Sequence, residues 1–219
     1  IQVKVIGKEA AIEKVQLETD EKEEADYRAK TVFDSISAKD KQTQGIELKV
    51  LSKIFEENKL AQKMYNVQMG KLKIDYAANT LSAAKVELIY QAANAKNKET
   101  VKNTMSQILS EVTSSQNSFY TVAKNKTQAD AIEYVIGNQD SRTNLAKAVV
   151  SLKKNQTSAL IEEKDGFYIA HCIQTNSAAL QQQYRNQLVS EKQTESFQKI
   201  YKTWSDKFDV KVSKALLAA

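Results

Sequence analysis

The stretch AVVSLKKNQTSALIEEKDGFYIAHCI, residues 148–173, decides how the chain reads. It opens on the apolar end of a short helix that starts near Ser141, with Leu145, Ala148 and Val149 on one face. Ala159 to Ile161 and Phe167 to Ile173 are two apolar, β-prone runs. Lys164-Asp165-Gly166 lies between them, and Asp-Gly in that position signals a tight β-hairpin.

Working upstream, Ile132 to Ile136 ends at Gly137 and reads as a strand, as does Lys85 to Tyr90. Between them Val101, Met105, Ile108, Leu109 and Val112 recur at helical spacing. Phe119, Tyr120 and Val122 continue as a further helical turn or two. Downstream, Ser177 to Phe208 reads as one long helix with the stripe Leu180, Tyr184, Leu188, Phe197, Ile200, Tyr201, Trp204 and Phe208. Asp209 to Ser213 alternates and predicts a closing strand.

Nearer the N-terminus, Gln2 to Ile6 alternates polar and β-branched residues and stops at Gly7, which predicts a short strand. Ile12 to Leu17 reads as a second extended piece. The acidic run from Glu18 to Asp26 fits a solvated helix start, because acids favour the positive end of the helix dipole. A hard-cation site is the other reading of that run, but it needs a shaped ligand loop, and no glycine-containing one is present. Tyr27, Ala29, Val32, Phe33 and Ile36 continue this helix, Gly45 breaks the chain, and a long amphipathic helix follows from Ile46 to Met64.

Composition supports this layout. The chain has 219 residues, no proline and only 5 glycines, so long helices are permitted and glycine- and proline-rich sandwiches or fibres are excluded. With 42% hydrophobic and 27% charged residues it is globular. No apolar run approaches the roughly 18 residues of a membrane span. The net charge of +5 is spread through alternating Lys and Glu, so nucleic acid is not an expected partner. His171 and Cys172 are neighbours on a strand and point to opposite faces, which argues against a zinc site or a Cys–His dyad. No metal or other cofactor is expected. Without proline, refolding is expected to lack the slow X-Pro phase.

The order strand, long helix, strand ending in glycine, short helix and Asp-Gly hairpin resembles a parvulin-type peptidyl-prolyl isomerase domain. The local match is carried by Ser151-Leu152, Ser158, Leu160-Ile161 and Gly166-Phe167-Tyr168-Ile169. The tail, Tyr201-Lys-Thr-Trp204, is similar to that of secreted bacterial parvulin-like foldases and chaperones. The resemblance implies an α+β chain with three parts. A helical part at 1–82 carries short strands, a parvulin-like domain is inserted at 83–175, and 176–219 returns to the first part as a long helix and closing strand.

Carried over residue by residue, the resemblance puts Glu87 where the family's first histidine stands and Tyr168 where its second stands. It leaves Asp130 as the candidate for the central acidic position. Leu145 takes the place of the proline-pocket phenylalanine and Ser141 that of the pocket methionine, with Val149 and Leu152 beside them. The expected candidates are thus Glu87, Asp130 and Tyr168 for catalysis and Ser141, Leu145, Val149 and Leu152 for substrate binding. A hydrogen bond between Glu87 and Tyr168 across adjacent strands is one reading of this set, and a remodelled, inactive site is the other.

The function implied is an extracytoplasmic foldase or chaperone that binds unfolded or partly folded polypeptides, with isomerase activity weak or lost. The alternative is a non-enzymatic structural or interaction protein of the cell envelope. Phe55, Met64, Tyr65 and Met69 are read either as helical core or as part of a client surface. The resemblance also implies attachment through a lipid on a cysteine upstream of Ile1, or free secretion.

Overall fold

The first surprise lies in the N-terminal run. The computed structural model describes residues 2–77, 80–114 and 118–208. Gln2–Ile12 is a helix (α1), not a strand. Val5, Ile6, Glu9 and Ala10 are buried along one of its faces, at the one- and four-residue steps of a helix. Packing against Met64 and Trp204 overrides the weak strand preference of Val and Ile. Gly7 sits mid-helix where an added Cβ would meet nothing within 4 Å, and the buried face on either side of it outweighs its low helix propensity. The predicted extended piece at 12–17 is the end of α1, a turn with Lys14 at φ 58°, and irregular chain.

Helix α2 (Thr19–Ser35) starts as the acidic run requires. The Glu21 carboxylate accepts the backbone N–H of Glu18 at 2.8 Å. A short helix absent from the sequence reading, α3 (Ala38–Gln44), follows and ends at Gly45, whose left-handed φ of 61° suits glycine. Helix α4 (Leu48–Gly70) runs back along α2, tied to it by the Lys63–Glu21 ion pair at 2.6 Å and a Lys59–Glu24 pair.

The middle of the chain forms β1 (Ala83–Ala92), α5 (Lys98–Ser114), α6 (Phe119–Lys126), β2 (Glu133–Gly137), α7 (Thr143–Ser151), β3 (Ile161–Glu163) and β4 (Gly166–Gln174). The four strands make one antiparallel sheet in the order β2-β1-β4-β3. Alternation along β1 sorts the two cores. Ala84, Val86 and Leu88 pack with Leu145, Val149 and Leu152 of α7. Ile89 packs on the other side with Met105 and Ile108 of α5 and Phe119 and Val122 of α6. The β3 edge is short, and the Glu162 carbonyl accepts from the Asn144 side chain at 2.9 Å. Residues 155–158 continue the pairing along β4 through Asn155, Gln156 and Ser158.

Helix α8 (Ala178–Asp206) closes the described part. The chain divides into two compact units, Asp75–Ser190 and Ile1–Ile74 with Glu191–Ala219. The first half of α8 contributes Tyr184 and Leu188 to a cluster with Leu81 and Ala83. Its second half contributes Trp204, with Phe197, Ile200 and Tyr201, to the cluster with Val5, Ile6 and Met64. The expected strand at Asp209 to Ser213 lies outside the described residues. Met64 and Met69 are buried, which makes them core rather than surface, while Phe55 and Tyr65 are half-buried.

Candidate functional site

The side chains singled out from the sequence fall on both faces of the sheet. Strand register decides this. Tyr168 of β4 stands opposite Tyr90 of β1, and Glu87 stands opposite His171. A shift of three residues along β1 changes the face, so Glu87 and Tyr168 are on opposite sides and do not pair. The residue that meets Tyr168 is Tyr90, with the rings stacked at 4.6 Å.

On the α7 side, Tyr168 is 2% exposed, and Leu145 and Val149 are fully buried. The Tyr168 hydroxyl donates to Asp165 Oδ2 at 2.6 Å, and the Tyr90 hydroxyl donates to the Asp165 carbonyl at 3.0 Å. The Arg142 guanidinium lies over the Tyr168 ring, 5.5 Å from its centre. Arg142 is itself held by Asp140 through Nε at 2.9 Å and a terminal nitrogen at 2.7 Å. Burial, then the bond to Asp165, pushes the Tyr168 hydroxyl above the ordinary phenol range. It is therefore a hydrogen-bond donor at neutral pH, and not a base.

The local sequence builds this cluster. Gly166 sits at φ 155° where a Cβ would lie 2.1 Å from the Gln91 carbonyl oxygen, so only glycine lets the hairpin press onto β1. The Glu163 carboxylate, reaching from β3, accepts the backbone N–H groups of Asn144 at 2.7 Å and Leu145 at 2.9 Å. That caps the first turn of α7 and fixes Leu145 over the sheet. Leu152, at 9% exposed, completes the wall. Ser141 is exposed in the approach to α7, and Asp130 is exposed in the connection before β2. Neither side chain belongs to the buried cluster.

On the opposite face, Glu87 lies between Glu133 of β2 and His171 of β4 in one row. Burial, then the neighbouring Glu133, pushes the Glu87 carboxyl above the usual range. His171 stacks on Phe119 at 5.3 Å and bonds Thr157 Oγ1 through Nδ1 at 2.9 Å, and burial lowers its pKa. Cys172, on the α7 side, is fully buried, and burial pushes its thiol up.

An open cleft of about 540 Å³ lies beside the hairpin end of the sheet, lined by Asn94, Lys98, Asn144, Glu162, Glu163 and Lys164 among others. None of the seven residues singled out from the sequence lines it. Among the described residues no three His, Cys, Asp or Glu side chains converge as a metal would need, and no helix is long and apolar enough to cross a membrane. Sequence reasoning missed Tyr90, Asp140, Arg142, Glu163 and Asp165. Only Asp165 carried a visible signal, as the Asp of the hairpin turn.

Residues 81–174 match the Rotamase family, the PPIC-type PPIase domain. No curated protein matches the chain. Among solved structures, a PpiC-type peptidyl-prolyl cis-trans isomerase domain is similar at 20% identity over 46% of this chain and 98% of that one, with a TM-score of 0.40. The peptidylprolyl isomerase PrsA of Bacillus anthracis is similar at 13% identity over 97% of each chain, with a TM-score of 0.49. A SurA-like chaperone of Campylobacter jejuni is similar at 11% identity over 96% of this chain and 84% of that one, with a TM-score of 0.37. The segment match and the strand–helix order of the sheet unit together make residues 81–174 a domain of the parvulin, or PPIC-type, peptidyl-prolyl isomerase family.

Proposed function

We propose that the chain is a foldase or chaperone of parvulin design, acting outside the cytoplasm on unfolded or partly folded polypeptides, with prolyl isomerisation weak or lost. In this reading 83–175 is a domain inserted into a helical chaperone.

Burial carries the reading. An isomerase must take a proline ring into an apolar pocket and lower a barrier of about 18–20 kcal/mol. Leu145, Val149 and Leu152 pack instead against Tyr168, Ala170 and Cys172, and their burial in one cluster supports a site remodelled away from isomerisation. Polypeptide binding draws support from the open cleft at the hairpin end. There Asn94, Asn144 and Lys164 offer polar groups to the backbone of an extended chain. The buried Cys172 thiol suits an oxidising compartment, because a shielded thiol with a raised pKa resists oxidation.

The test pairs two assays. A protease-coupled proline-peptide assay is expected to show no acceleration beyond a few per cent of that given by an active parvulin. Suppression of aggregation of a reduced, denatured secreted protein is expected to persist. Full isomerase activity would overturn the first half. Loss of both activities would favour a structural or interaction protein of the cell envelope.

A further inference from the structure

A pocket of about 310 Å³ lies between α1, the irregular chain after it, α2 and α4, wholly within the helical unit. That is the small end of the range for ligand sites, about 300–1,000 Å³. Ala11, Val15, Leu17 and Leu60 give it apolar walls, and Gly7 of α1 also lines it. Packing does not demand glycine there: an added Cβ would meet no atom within 4 Å, and alanine would suit the helix better. What glycine does at this position is leave the wall of the pocket open.

The charged side chains that line it are Lys22, Glu56 and Glu57. Glu57 is taken by Lys4. Among the described residues the Lys22 and Glu56 side chains make no hydrogen bond or ion pair, with each other or with any neighbour, although Glu56 is half-buried. The pocket thus carries an apolar wall and one free charge of each sign. We propose that it binds a zwitterionic α-amino acid with an apolar side chain. The ligand carboxylate meets Lys22, its ammonium meets Glu56, and its side chain lies against Val15, Leu17 and Leu60. A neutral apolar ligand would strip water from both charges and return nothing, and a simple anion or cation would answer only one of them. The zwitterion answers both, and two charge-assisted contacts fix its orientation.

NMR titration of the full chain with leucine tests this. Leucine is expected to bind with a dissociation constant of about 1 mM or tighter and to shift the amide signals of Gly7, Lys22 and Glu56. Glycine, which has no apolar body, should bind at least about tenfold more weakly. N-acetylleucine lacks the ammonium and leucinamide lacks the carboxylate, and each should bind about three- to tenfold more weakly than leucine. Lys22→Gln should weaken leucine by the same factor and leave leucinamide unchanged. Glu56→Gln should weaken leucine and leave N-acetylleucine unchanged. Gly7→Leu, which sets a side chain in the open wall, should abolish binding without lowering the melting temperature. No shift of these signals at about 20 mM leucine overturns the proposal. So does leucine binding that is indifferent to both Lys22→Gln and Glu56→Gln. Blocked derivatives that bind as tightly as leucine also overturn it, and would assign the pocket to apolar side chains of a polypeptide.

Discussion

Leu145→Ala separates a substrate pocket from a packed core. Leu145 is fully buried between α7 and the sheet, in contact range of the Tyr168, Val149 and Ile136 cluster. In a packed core, truncating a leucine loses its transfer energy and leaves a cavity, a cost of about 2–5 kcal/mol. Around Leu145 both strands and α7 are fixed, the helix by Glu163 at its first turn and the strands by continuous pairing. Little collapse is open to the site, so about 3–4 kcal/mol is expected. If Leu145 instead lined a proline pocket open to water, its loss would remove little buried contact and cost below about 1 kcal/mol. Urea denaturation followed by circular dichroism measures the difference, and amide exchange in β1 and β4 localises it. Ser141→Ala, at an exposed position, is the control and should stay within about 0.5 kcal/mol. A Leu145→Ala protein as stable as the control, and able to accelerate prolyl isomerisation, would refute the filled-site argument.

Glu163→Ala should cost about 1–2 kcal/mol in the same titration, because two backbone N–H groups at the start of α7 lose their acceptor, and Glu163→Gln should cost less. Gly166→Ala should cost more than about 2 kcal/mol, since the added Cβ meets the Gln91 carbonyl oxygen at a φ of 155°. The pH dependence has two opposed parts. His171 is lowered by burial, so the stability it contributes is present above the ordinary histidine range, about 6.5, and is lost as pH falls. Glu87 is raised by burial and by Glu133, so its contribution is present at acid pH and is lost as pH rises through its raised value. His171→Gln should therefore flatten the loss of stability between about pH 7 and 5, and Glu87→Gln should raise stability near pH 7, both read from urea midpoints across pH.

The fold was legible where local signals agreed with their surroundings. The Asp-Gly turn, the β1 and β4 runs and the long stripe from Leu180 to Phe208 each combine pattern with punctuation, and each appears where expected. The run from Gln2 to Ile6 misled because Val, Val and Ile at positions 3, 5 and 6 satisfy a strand's alternation as well as a helix face. Only the distant partners Met64 and Trp204 decide between them. The site was less legible, for a similar reason. Whether Glu87 or Tyr90 meets Tyr168 depends on the pairing of two strands about eighty residues apart, and a three-residue slip exchanges the faces. The Glu163 cap on α7 is equally invisible, since residues nineteen positions apart leave no periodic trace.

The blunted β3 edge matters for a protein proposed to hold unfolded chains. Any open row of backbone donors and acceptors would recruit those chains into a growing sheet, and the helper would seed the aggregates it is meant to prevent. Here the regular strand is three residues long, one of its carbonyls is occupied by Asn144, and the Glu162 and Glu163 carboxylates are engaged by Lys98 and the start of α7. A passing strand finds little regular length to zip onto beside β3, which disfavours lasting capture there.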